Sequence, residues 1–513
     1  MILFNKVQTP WQGVCTLYFG LRSKSRRSGV LTILLNVYGF IKRHYLRCMA
    51  SPRYLRILVI PFLILTPFYT VLFAQADNAA NTITGINESS GFSYNNFISG
   101  SFKTQYEGRW AEGEEDHDMY EYLRFKTKDF LSNKVTIAGS GRVSEDLDGH
   151  EPQTGAFRDI LDANDSSVNE RLYYLYADIK NPVVNNSNLR IGRQYQYSIE
   201  TILLDGAKYE QRIGAVDAYA FGGLRASQYS STYSDTVAGG GVAVQPFMAT
   251  RTNLDYIRII DDNFIDDEVG INLWQRIYED VNFYGRYTLL NTLPKDFLVR
   301  LAWDKIDWDA SVQVSYFRFL HSLAEQSNNI SPFYQILGTF EPFDLVSLTG
   351  YKGLGEKFGI SSGIDHRSVI SQSDENNFNR DYNRTYLSFS ARNFLLQESK
   401  ATLTVEYWNT EGIDHSTDLG VDFDKKINKF DVGAGTSYSL YKYNFDGTTD
   451  MSAALNNEFT KDVEQEVNVR TYYLKVKYLL TKHSDVNMQW STEITDTDPG
   501  TFHQLRLSYS TNF

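Results

Sequence analysis

Polar and apolar residues alternate with a period of two along most of this chain. In 282–290, Phe283, Gly285, Tyr287 and Leu289 share one side of an extended segment, and Asn282, Tyr284, Arg286 and Thr288 share the other. Val299, Leu301 and Trp303 alternate with Arg300, Ala302 and Asp304, and Leu403, Val405 and Tyr407 with Thr404, Glu406 and Trp408. Leu387, Phe389 and Ala391 oppose Tyr386, Ser388, Ser390 and Arg392 in the same way. Successive side chains of a strand point to opposite faces, so this pattern predicts strands that separate two environments. Segments of roughly ten residues, the length a tilted strand needs to cross a bilayer, recur from 97 to 513 between polar turns. No long apolar stripe of period 3.6 follows residue 96, which leaves helices a minor part.

The spacing predicts strands near 97–109, 119–128, 133–143, 168–180, 188–196, 206–212, 215–226, 237–245, 248–259, 269–279 and 282–290. It predicts as many again near 296–304, 308–318, 342–351, 356–366, 382–392, 400–410, 416–424, 429–445, 467–480, 484–494 and 502–513. The short segment 206–212 is needed to keep strict up-and-down alternation. Single-chain bacterial barrels have even strand numbers, so the expectation is about 18–22 strands, with the lower value if 206–212 and 237–245 are loop. The expected fold is all-β: a large antiparallel transmembrane β-barrel filling 97–513. The linking 77–96 is too short for an N-terminal plug domain.

A soluble sandwich shows the same alternation, so both ends of the chain bear on the choice. From Met49 the sequence reads as a secretory signal: Arg53 and Arg56, an apolar run from Ile57 to Phe73, then Ala74-Gln75-Ala76 as a small-x-small cleavage site. Residues 49–76 are therefore expected to be removed, with 1–48 an extended basic leader or an early-assigned start. At the other end, Leu505, Leu507, Tyr509 and Phe513 share one face of FHQLRLSYSTNF, opposite Gln504, Arg506, Ser508 and Asn512. This resembles the terminal recognition segment of outer-membrane barrels, which implies the barrel-assembly machinery as a partner and a bacterial outer membrane as the destination. The last strand would then end in the periplasm. Every second connection is short on that assignment, and the long ones, 319–341, 367–381 and 446–466, face outside, as outer-membrane barrels require.

Charge and cysteine narrow the classes further. Residues 1–76 hold 10 of the 50 Lys and Arg and none of the 62 Asp and Glu, which leaves 40 basic and 62 acidic residues, net −22, beyond residue 76. That balance disfavours nucleic acid as a partner. Cys15 and Cys48 both precede residue 77, so the remaining chain has no disulfide, thiolate metal site or cysteine nucleophile. No serine sits in a GxSxG elbow, and no HExxH, P-loop, dinucleotide fingerprint or CxxCH is present, so neither catalysis nor a bound cofactor or metal is expected.

Arg171–Asp178 (RLYYLYAD) and Leu189–Gln194 (LRIGRQ) resemble strands of the alginate-export-type outer-membrane barrels. The resemblance implies a porin-like, monomeric substrate channel with arginines along the pore. From strand phase, Arg142, Arg190, Arg251, Asp255, Arg286, Arg300, Asp304, Arg392 and Glu406 are the candidate lumen lining. Two acidic groups, Glu112–Asp118 and Asp261–Glu268, read as outer loops facing lipopolysaccharide. The segment 197–205 reads as a loop folded inward, because Ile202, Leu203 and Leu204 suit no aqueous surface. The leading expectation is a channel for small hydrophilic or ionic solutes. The alternatives are a barrel sheath around an exported multihaem cytochrome, and a structural or adhesive outer-membrane protein.

Overall fold

The computed structural model describes residues 97–513 except 112, 132–133, 149–167, 227–234, 262–263, 321–329, 332, 335–341, 371–380, 395, 411–414, 446–462 and 497–499, with side chains left aside at 441–445 and 463–467. The expected leader, signal and linking segments (1–48, 49–76 and 77–96) lie outside the described residues. Within them the chain forms 22 antiparallel strands, numbered from β1 (Ile98–Ala111) to β22 (Thr501–Asn512). Each strand pairs with its neighbours in sequence. β22 returns to β1, with Asn512 opposite Ser101 and Phe502 opposite Ala111. No helical plug appears among the described residues.

Closure is what a bilayer demands. Hydrocarbon supplies no hydrogen-bond partner, and an unpaired backbone group there costs several kcal/mol, so only a helix or an edgeless sheet crosses it. The strands run from 10 to 19 residues, so every one is long enough to span. At the seam the Gly100 N–H donates to the Phe513 carbonyl at 2.9 Å and the Phe513 N–H donates to the Gly100 carbonyl at 3.0 Å. The Phe513 ring fills the space that a side chain at 100 would occupy: a Cβ there would meet the ring at 2.7 Å and run into the Arg124 carbonyl.

The two faces of the wall differ as the alternation predicts. Leu254, Ile271, Leu387, Val405 and Leu507 are 39–53 % exposed on the outer face. Such a ring of bare aliphatics is stable against lipid and costly against water. Connections at one end, beginning with 128–134 and ending with 482–483, hold two to seven residues. Those at the other include 147–167, 320–342 and 446–462. The tight turns carry the expected left-handed residues, such as Gly214 (φ 59°) and Asn428 (φ 54°).

Two expectations are corrected. Residues 197–205 are not a loop: β5 (Ser187–Tyr197) and β6 (Thr201–Ile213) leave only 198–200 between them. Ile202 and Leu204 lie inside, as strand residues packed in an apolar cluster, and that apolar inner side hid the alternation. Nor are most of the acidic residues in loops, although Glu112 and Asp262 lie outside the described residues. Glu114–Asp118 open β2 (Glu114–Thr127), and Asp266, Asp267 and Glu268 lie in β10 (Phe264–Tyr278). Asp116 and Asp118 face Arg109, while Asp266 and Glu268 are fully buried.

The seam gives a direct test. Gly100→Val drives a branched side chain into Phe513 and the Arg124 carbonyl, so a smaller heat-modifiable, folded fraction than for the parent protein is expected on unheated gels. An unchanged folded fraction would show that the seam tolerates a side chain there.

Candidate functional site

The inner face is identified by what packs on it. Leu204, Phe221, Ile257 and Ile259 form a cluster with Ile330 and Tyr334, which belong to the connection between β13 (Ala310–Phe319) and β14 (Phe343–Leu354) and not to the wall. Ile199, from the 198–200 turn, joins them and lies against Gly270 of β10. Ile330 and Tyr334 are fully buried, so part of the long connection sits within the barrel and narrows it.

A bulge anchors this inward segment. β11 (Val281–Leu290) and β12 (Leu293–Lys305) meet through Asn291 and Thr292, both left-handed (φ 51° and 71°), as a two-residue hairpin turn requires. The register then shifts: Thr288 faces Asp296 and Leu289 faces Pro294, which leaves Lys295 as an extra residue. Bulges re-aim side chains. Lys295 has the phase of the outward Leu301 yet is buried, its ammonium on Glu268 at 2.8 Å and on Glu200 of the inward turn. The Tyr334 hydroxyl donates to Glu268 at 2.8 Å, and the Ser331 N–H donates to Asp266 at 2.7 Å. Burial, reinforced by Glu268, pushes the Tyr334 hydroxyl well above its ordinary range, so it remains a neutral donor. Asn291 donates to Asp266 and accepts from the Asp267 N–H, tying the hairpin to the same strand.

The residues expected to line the interior divide into distinct groups. Arg251, Asp255 and Arg286 share one hollow of about 740 Å³ with Ile199 at its side. Asp255 accepts from Tyr219 at 2.8 Å and from Asn272 at 3.3 Å, while Arg286 pairs with Asp296 at 3.0 Å. Arg190 grips Asp178 through two nitrogens, at 2.8 and 3.1 Å, and lies 4.1 Å over the Tyr176 ring. Arg142 stacks on Tyr120 at 5.4 Å. Arg300 faces Tyr284 and Ser315, and Asp304 faces Ser311, in strand register. Glu406 receives both ends of the Arg384 guanidinium at 2.9 Å. Arg392 stands apart from all of these, opposite Lys400 at the short-turn end.

Several inner residues had not been singled out in the sequence. Arg384 bridges Asp365 and Glu406 beneath Trp408 and Tyr386. Lys295 was hidden by its bulge. Lys400, Lys475 and Lys477 follow strand phase and were legible from it. The reverse also occurs: Arg258 and Asp267 form a bidentate pair at 2.7 and 2.8 Å on the outer face, while Ile257 and Ile259 point inward.

No protein-family model matches this chain, and no curated protein does. Solved structures match it in fold. The Escherichia coli P pilus tip assembly intermediate PapC-PapD-PapK-PapG superposes with a TM-score of 0.50 at 8 % identity, over 83 % of this chain and 63 % of that one. The P pilus usher (PapC) translocation pore gives 0.47 at 9 % identity, over 81 % and 99 %. A BenF-like porin from Pseudomonas fluorescens Pf-5 gives 0.42 at 10 %, over 81 % and 98 %. The chain is an integral outer-membrane β-barrel. At such identities the likeness is one of architecture, and function has to be argued from the barrel's own interior.

Breaking the buried ionic cluster tests whether it holds the inward segment. Lys295→Met strands two carboxylates, and removing one partner of a buried pair costs about 3–5 kcal/mol. The barrel is expected to lose its compact electrophoretic form at a clearly lower temperature than the parent. Lys295→Met combined with Glu268→Leu should recover part of that loss. A transition unchanged in the single variant would mean that the cluster contributes nothing.

Proposed function

We propose that this barrel is an outer-membrane channel through which small hydrophilic or ionic solutes diffuse. The observation that carries the reading is an inner wall lined by charged side chains around hollows of about 740 and 810 Å³, too large for those side chains to fill. Barrels of 16–18 strands already enclose water, and this one has 22. Arg142, Arg190, Arg251, Asp255, Arg286, Arg300, Asp304, Arg392 and Glu406 form the polar lining past which a solute would move. The paired arginines among them resemble the arginine-lined passage that the alginate-export-type likeness implies. Ile330, Ser331, Phe333 and Tyr334 form the constriction. Leu505, Leu507, Tyr509 and Phe513 serve as the segment read by the assembly machinery, and lipid with lipopolysaccharide covers the outer aliphatic face.

Purified, folded protein in a planar bilayer is expected to give discrete conductance steps. Tyr334→Ala removes the largest fully buried side chain of the constriction and its bond to Glu268, so larger steps are expected. A folded barrel that conducts nothing would overturn the channel reading. A haem protein retained through gentle purification of such a barrel would move it to the sheath role.

A further inference from the structure

Ion pairing is uneven around the inner wall. On the side of β5 to β12, five inner cations are matched, Arg190 by Asp178, Arg212 by Asp217, Arg225 by Asp235, Arg286 by Asp296 and Lys295 by Glu268, while Arg300 faces Tyr284 and Ser315. The opposite side is different. One row of opposed residues crosses seven strands, β16 (Tyr382–Arg392) through β22, running from Arg392 through Lys400, Asp424, Gly433, Lys475 and Gln489 to Arg506. Four of its seven members are cations and one is an acid. Arg506 is held by Glu107 at 2.9 Å. Arg392, Lys400 and Lys475 make no ion pair among the described residues.

The row lines the hollow of about 810 Å³ at the short-turn end, together with Lys103, Lys425, Lys426 and Lys477 and the acids Glu398 and Asp431, so that cations still outnumber acids. Lys103 donates to the Gln105 amide at 2.7 Å and has no acidic partner among the described residues. Lys477 has only a 3.5 Å contact with Asp485. Ser508, Ser510, Asn487 and Gln489 add neutral donors. Gly433 puts no side chain between Lys475 and Asp424, where a Cβ would meet the Asp424 carboxylate at 2.6 Å. With neighbouring strands about 4.8 Å apart, the backbones at Lys400 and Lys475, three strands apart in the row, are about 14 Å apart. Cations at that spacing, unneutralised in a chain whose net charge past residue 76 is −22, suit a ligand that brings several negative groups at once.

We propose that this wall of the lumen, at the short-turn mouth, is a binding site for small multivalent anions carrying two or more phosphate or carboxylate groups. Lys400 and Lys475 are its central contacts, flanked by Arg392 and Lys103. The inference rests on the reading of the interior as water-filled and adds to it a ligand class, a location and a side. A solute held there sits past the Tyr334 constriction as seen from the long loops, so the two ends of the barrel are not equivalent to an anion.

The test uses inorganic pyrophosphate with the intact, folded barrel. Calorimetry in detergent is expected to show saturable binding, weakened about ten-fold or more in Lys400→Gln/Lys475→Gln, since a lost charge-assisted bond is worth about one decade of affinity or more. Lys352→Gln is the control for charge alone: its ammonium donates to the Trp308 carbonyl on the outer face at the same end. Binding should be unchanged there. In bilayers, pyrophosphate should block conductance at lower concentration from the short-turn side than from the other. No saturable binding to the folded parent protein, or equal weakening in the control, would overturn the site. Normal binding by a barrel that does not conduct would leave the site standing and remove the channel.

Discussion

The need to pair every backbone N–H and C=O inside hydrocarbon governs this structure. A meander of 22 strands meets it only because β22 closes on β1, where Gly100 and Phe513 exchange two backbone bonds and the Phe513 ring takes the place of a side chain. Closure fixes the rest. It gives each strand one face in lipid and one in the interior, and it makes that interior too wide for side chains to fill.

The protein handles the surplus space unevenly. One side of the wall is dressed with apolar side chains, Leu204, Phe221, Ile257 and Ile259, on which Ile330 and Tyr334 rest. A bulge swings Lys295 through the wall to bind Glu268 and Glu200, so the inward segment is held by ionic contacts buried beneath it. On the other side Lys400 and Lys475 make no ion pair among the described residues, and Lys477 reaches Asp485 only at 3.5 Å. A barrel that needed only to fill itself would gain by pairing those charges, as it does on the side of Arg190 and Asp178. Unmatched cations at one mouth are what the proposed anion site would use.

Most of the architecture was legible in the sequence because lipid enforces period two with little tolerance. All the expected strand positions have a counterpart, including the short GAKYEQR segment that parity required and that proves to be the second half of β6. Reading failed where the inner face is itself apolar. Ile202 and Leu204 face a buried cluster, so alternation vanished and strand residues resembled a loop. In β9 (Thr250–Asp261) polarity even reverses, with Ile257 and Ile259 inside and Arg258 outside, paired to Asp267. The bulge at Lys295 was likewise invisible, because nothing local in Leu293–Lys305 announces an extra residue. The distinction between paired arginines and unpaired lysines depends on which strands become neighbours around the ring, and phase within one strand carries no such information.

Beyond residue 76 the chain has no cysteine, which allows the central claim, a wet lumen behind an alternating wall, to be read at single positions. Ser508 and Leu507 are adjacent in β22 and point to opposite faces, Ser508 opposite Gln105 and Asn487, Leu507 opposite Tyr106 and Met488. Single cysteines at the two positions, exposed to a small membrane-impermeant thiol reagent in outer-membrane vesicles, are the most direct measurement. Ser508→Cys is expected to be modified rapidly and Leu507→Cys to resist until the membrane is dissolved. Equal reactivity, or modification at 507 alone, would contradict a water-filled interior on the face assigned here.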